Sequence, residues 1–253
     1  MTKPIVPINP EGLEEVAEAL LKEEPVQEDG NIKPAPARVE NPSSYLILPG
    51  KTHGTYSYPD ILIAIDRVHL GKNWTECQET LAEEGSFMPT PRQYVDFLSH
   101  LKSGKVYDGT GARVDSGKIS AILDDILTVR DPYRAEWLDA KFTQQRNQWY
   151  ITYHKIKSNG NLEEVTEPLQ ECLMSDKLPG ISLDYWLKNA TSKGLPPKST
   201  ENGSLYYWHP INNAVSRFGV FSDRAVLSCN RDAQDSGAGL GVRRQKIFHR
   251  KQG

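Results

Sequence analysis

Apolar and polar positions alternate with a period of two through SRFGVFSDRAVLSCNRD, residues 216–232. Phe218 and Val220 fall on one side of the implied strand, and Gly219 and Phe221 on the other. After the break at Ser222-Asp223, Ala225, Leu227 and Cys229 share a side opposite Val226, Ser228 and Asn230. One side suits a core. The other mixes aliphatic, hydroxyl and amide groups, so no single packing environment explains it.

Elsewhere the pattern is helical. Residues 11–24 place Leu13, Val16, Ala17, Leu20 and Leu21 on one face with glutamates opposite, which predicts an amphipathic helix. Residues 25–44 are rich in proline and charge and predict a linker. SYLILPG predicts a strand closed by Pro-Gly. In YPDILIAIDRVHLG, Pro59 and Asp60 suit a helix start and Ile61, Ile65 and Val68 a buried stripe, so a helix is expected there. Asn73 is placed to cap a helix with Trp74, Cys77 and Leu81 inward and Gly85 at its end. Thr90, followed by Pro91, is placed to cap another, with Tyr94, Phe97, Leu98 and Leu101 buried.

From Tyr133 onward the period returns to two. Trp137 shares a side with Asp139, and Trp149 with Ile151 and Tyr153, before a tight turn at Asn159-Gly160. A short helix or turn holds Trp186, and GSLYYWHP is a further strand. Helices followed by strands and long irregular connections give an α+β order of elements.

At 253 residues and a net charge of -3, the chain can bury a large core and carries no field that would attract nucleic acid or an anionic membrane. Nucleic-acid binding and membrane insertion are not expected. The N-terminus lacks the apolar stretch of a secretory signal, which suggests a cytoplasmic protein or one incorporated into a virus particle. Cys77, Cys172 and Cys229 are far apart, so buried free thiols are expected rather than disulfides or zinc. The six histidines are scattered without a His-x-x-x-His spacing. Neither glycine-rich stretch, GTGAR or GAGLG, lies between a strand and a helix start as phosphate binding requires.

NWTECQETLAEEGSFMPTPRQYVDFL and the C-terminal GLGVRR resemble the helical opening and the ending of C-type lectin-like domains of the formylglycine-enzyme-like branch. RFGVFSDRAVLSCNRD followed by LGVRR, with KSGKVYDGTG and AEWLDAKF upstream, resembles more closely the variable proteins of diversity-generating retroelements, particularly those of archaea and their viruses. The resemblance covers residues 45–253. It implies a C-type lectin-like fold, with two helices on a twisted antiparallel sheet, and a variable ligand-binding region at about 206–244.

In that family a mutagenic reverse transcriptase rewrites adenines in the 3′ end of the gene, and the altered residues recognise a ligand. The resemblance therefore implies a binding protein and not an enzyme, without a cofactor or catalytic metal, whose partner is a protein on a cell or virus surface. The implied variable face is Gly219, Phe221, Val226, Ser228, Asn230, Asp232, Asp235, Gly237 and Gly239, expected to be mostly exposed. Each can arise by mutating the adenines of an asparagine codon; Gln234 cannot, and is expected to be fixed. The alternative is an enzyme of the formylglycine-generating branch, which needs paired cysteines near the C-terminus, whereas Cys229 has no cysteine neighbour. Asp223, Arg224 and Arg231 are expected to form structural ion pairs.

Overall fold

The computed structural model describes residues 41–157 and 160–248. The helix expected over 11–24, most of the linker over 25–44 and Asn159 of the expected turn lie outside the described residues. The elements run β1 (Tyr45–Leu48), β2 (Lys51–His53), β3 (Tyr56–Tyr58), β4 (Ile61–Val68), α1 (Trp74–Glu83), α2 (Pro91–Lys102) and α3 (Ser116–Leu127). They continue with β5 (Arg134–Gln145), β6 (Gln148–Ile156), β7 (Leu162–Pro168), β8 (Lys177–Ile181), α4 (Leu183–Asn189), β9 (Leu205–Trp208), β10 (Ala214–Val220), β11 (Ala225–Arg231) and β12 (Leu240–Ile247).

Ten strands form one sheet in the order β1-β4-β12-β5-β10-β11-β9-β8, with β6 paired to β5 and β7 to β6. The pairings are antiparallel except β5 with β12 and β9 with β11. The chain is thus a mixed α and β protein with a largely, not wholly, antiparallel sheet. β2 and β3 form a separate hairpin.

Both capped helices form where local chemistry specifies them. Asn73 and Thr90 each close a capping box, with Glu76 and Gln93 reaching back to the cap. On α2, Tyr94, Val95, Phe97, Leu98 and Leu101 are buried in the main core, each such side chain stabilising the fold by about 1.5–3 kcal/mol. On α1, Cys77 and Leu81 are buried, while Trp74 is only half-buried and donates its indole N–H to the Leu138 carbonyl at 3.0 Å.

The helix expected from Pro59 is instead strand β4. Ile61, Leu62, Ile63 and Ala64 are all buried, Ile61 and Ile63 in the main core and Leu62 and Ala64 against Tyr45, Ile47 and Phe248. A strand buried on both faces reads as a continuous apolar run, and its isoleucines satisfy a helical stripe equally well. Helix α3 adds a third long helix to the two expected. Asp115 caps it, and Ile119, Ile122 and Ile126 are buried.

Helices α2, α3 and α4 share the main core with one face of the sheet, including Phe218, Leu227 and Cys229. Helix α1 lies on the other face, packing Cys77 and Leu81 with Ala135, Trp137, Leu240 and Val242. β12 runs between β4 and β5, so the first and last described strands, β1 and β12, flank β4 rather than pair with each other.

A buried ionic network ties these layers together. Glu136 accepts from Arg134 at 2.7 Å, from Arg243 at 3.0 Å and from the Tyr94 hydroxyl at 2.7 Å. Arg134 also reaches Asp125 of α3 at 2.9 Å. Burial alone would raise the Glu136 carboxyl, but Arg134 and Arg243 outweigh it and hold the group well below the usual carboxylate range. The AEWLDAKF and GLGVRR stretches thus meet in the core through Glu136 and Arg243.

Candidate functional site

Cross-strand register places two rows of residues on the sheet face that α1 partly covers. Trp208 of β9 lies opposite Ser228 of β11, Ser228 opposite Arg217 of β10, and Arg217 opposite Trp137 of β5. The adjoining row runs Tyr206, Val226, Gly219, Ala135 and Leu240. Directly paired residues share a face, so the α1-covered residues Trp137, Ala135 and Leu240 continue into Arg217, Ser228 and Val226.

Beyond α1 that face opens into a cleft of about 440 Å³, within the usual range of about 300–1,000 Å³ for small-ligand sites. Trp208, Phe221 and Val226 supply apolar walls. Arg217, Ser222, Asp223, Arg224, Ser228, Asn230 and Arg231 supply polar ones. Phe221 stacks on Tyr133 with ring centres 5.4 Å apart and planes 9° from parallel, and the Arg217 guanidinium stands 5.6 Å from the Phe221 ring centre.

The charges are unequally satisfied. Arg224 pairs with Asp223, its Nε donating at 2.9 Å, and lies 4.7 Å from the Tyr206 ring centre. Arg231 pairs with Asp235, its Nε donating at 2.8 Å; the partner of Arg231 is therefore Asp235 and not Asp223. Arg217 has no ion pair among the described residues, and its buried Nε has no hydrogen-bond partner. Burial, and then the charge of Arg231, push the Arg217 guanidinium down to about 10, which still leaves it protonated at neutral pH.

The nine expected display residues divide. Phe221, Val226, Ser228 and Asn230 line the cleft, yet Val226 and Ser228 are 5% and 3% exposed rather than open to solvent. They sit in the wall of a concavity bounded by Trp208 and Arg217, so alternation separates the two sides of the strand but does not give the depth of either. Asp232 is exposed and accepts from the Gln234 backbone N–H at 2.9 Å. Asp235 is held by Arg231.

The three glycines depart most from the expectation. Gly219 is buried, and a Cβ there would meet the Ala135 Cβ at 2.8 Å. A Cβ on Gly239 would lie 2.1 Å from the Tyr133 carbonyl oxygen, and the Gly239 carbonyl already accepts from Arg67 and the Ala135 N–H. These two positions cannot take a side chain without moving β5 or the chain before it. A Cβ on Gly237 would meet the Tyr133 side chain alone and no backbone, so only that ring would have to shift.

On the opposite face Phe218, Val220, Leu227 and Cys229 are fully buried, as expected, while Ala225 is half-buried. Burial pushes the Cys229 thiol well above its ordinary value, which disfavours the thiolate form. Gln234 accepts from the Asn73 amide at 3.2 Å, and the Trp74 backbone N–H donates to the Ala233 carbonyl, so the loop after β11 is stapled to the start of α1.

Sequence reasoning missed Arg217. Its signal was an arginine sharing a face with Gly219 in a strand whose other face is core. Other charged side chains are paired within the fold. Asp96 accepts from Tyr58, Arg92, Lys51 and His53, and Lys193 is buried against Glu167 and Tyr153. His53, His69, His154 and His209 each lie against a carboxylate. Among the described residues no three His, Cys, Asp or Glu converge as a metal site would need, and no helix is long and apolar enough to cross a membrane. Compared with known family models, curated proteins and solved structures, the chain matches none.

Proposed function

We propose that residues 45–253 form a C-type lectin-like binding domain of the kind found in retroelement variable proteins, and that the cleft over β9, β10 and β11 recognises its ligand. The supporting observation is the division within β11. Leu227 and Cys229 are locked in the core, while Val226, Ser228 and Asn230 line an open cleft with Phe221. Of these, Phe221 and Asn230 are only half-buried, and side chains at such positions can change with modest effect on folding, since substitutions away from packed features usually cost under about 0.5 kcal/mol.

This reading keeps Phe221, Val226, Ser228 and Asn230 as ligand contacts, with Asp232, Asp235 and Gly237 at the periphery. It withdraws Gly219 and Gly239 as adaptable positions. The partner is a protein on a cell or virus surface, and Phe221 and Val226 are its apolar anchors.

Panning a surface-protein display library against the full chain tests the reading. Phe221→Ser with Asn230→Ser should abolish capture of the selected ligands while leaving the melting temperature within a few degrees. Leu227→Ala should do the reverse, costing about 2–5 kcal/mol as a core cavity and sparing capture by the folded fraction. Capture indifferent to the double substitution overturns the assignment of the cleft. The retroelement origin predicts an adenine-rich near-copy of the gene's 3′ end beside a reverse transcriptase gene, and its absence would refute that origin.

A further inference from the structure

The ligand-recognising cleft proposed above contains one charge that the fold leaves unused. Arg224 and Arg231 are each matched by an aspartate, Asp223 and Asp235. Arg217 is not matched, although it stands between Phe221 and Ser228, and its Nε is shielded from solvent without an acceptor. The side chains of Ser228 and Asn230 likewise make no hydrogen bond among the described residues. Removing a guanidinium from water without supplying an acceptor is unfavourable, so an acceptor brought by a partner gains more here than at an exposed arginine.

Resting on the display reading, we infer that the cleft takes a carboxylate, the acidic side chain of a protein partner, held by the Arg217 fork. The charge count favours this group over a phosphate. One unmatched cation remains among the lining residues, which a monoanion neutralises, whereas a dianion would leave an excess charge facing Asp223 at the rim. The geometry agrees. A guanidinium offers paired donors to a planar carboxylate, the Ser228 hydroxyl and Asn230 amide can donate to its remaining lone pairs, and Val226, Phe221 and Trp208 accommodate an apolar stem.

The test is an NMR titration of the full chain at low ionic strength, following the Val226 methyls and the Arg217 Nε–H, with hydrocinnamate, its neutral amide hydrocinnamide and phenyl phosphate. Hydrocinnamate should shift both sets of resonances and bind about tenfold or more tightly than either other probe, as expected for a charged hydrogen-bonded pair. Arg217→Gln should remove that advantage over the amide, and Arg217→Lys, which keeps the charge but not the fork, should lose part of it. If Arg217→Gln does not fold, the lysine variant decides alone.

Equal binding of acid and amide, an unchanged acid affinity in a folded Arg217 variant, tighter binding of phenyl phosphate, or no shift with any probe would each overturn the inference. The display reading is decided separately by the panned ligands. Ligands lost with Phe221 and Asn230 but indifferent to Arg217 would keep that reading and discard the carboxylate.

Discussion

Two halves of one sheet face meet different fates. Over β5 and β12, Trp137, Ala135, Leu240 and Val242 are sealed beneath Cys77 and Leu81 of α1. Over β9, β10 and β11, the continuation of the same rows carries Trp208, Ser228, Arg217 and Val226 into an open cleft. Strand pairing is shared, so what separates a structural half from a candidate recognition half is only whether a helix lies on top. Side-chain chemistry follows: apolar where covered, mixed where not.

Removing residues 242–248 should have the largest effect, because β12 joins the β4 and β5 portions of the sheet. The expected outcome is complete loss of the cooperative thermal transition by circular dichroism, in both halves together. A truncated chain that keeps a cleft able to capture ligand would show that the halves fold independently.

Glu136→Gln comes next. It leaves Arg243 buried without its carboxylate and Arg134 with Asp125 alone, and breaking such a buried network costs about 3–5 kcal/mol in denaturant melts. The wild-type protein should show the matching acid dependence. Because the folded carboxyl is depressed, its contribution is fully present above the unfolded value of about 4.3 and is lost progressively as pH falls below that. Glu136→Gln should flatten this part of the stability profile.

Two tryptophans in one cross-strand row sharpen the contrast directly. Trp137→Ala, in the covered half, should cost about 3–5 kcal/mol and leave ligand contacts in place in the folded fraction. Trp208→Ala, in the open half, should cost much less and weaken capture. The smallest effect is expected for Asn230→Ser, within about 0.5 kcal/mol by chemical denaturation. A larger loss would mean that Asn230 supports the wall rather than faces the ligand.

Much of the local structure was legible. The capping boxes at Asn73 and Thr90 announce α1 and α2 because their hydrogen bonds join residues three apart. Alternation separated Leu227 and Cys229 from Val226 and Ser228 because a strand's geometry sets it. The failures are nonlocal. Whether Ile61–Val68 is a strand depends on neighbours on both sides of β4, brought from β1 and from the far end of the chain. Asp115 and the spaced isoleucines carry a local signal for α3. The burial of Val226, the crowding at Gly239 and the isolation of Arg217 depend on where Trp208, Tyr133 and Asp235 arrive, which no short-range pattern encodes.

The place of β12 also bears on how the protein is made. It follows every other described strand along the chain yet occupies the interior of the sheet, between β4 and β5. During synthesis, everything from β1 to β11 emerges before the strand that unites it, leaving the facing edges of β4 and β5 unpaired for that interval. Exposed edges of this kind invite pairing with other chains. The nascent protein therefore depends on whatever shields those edges until translation delivers β12.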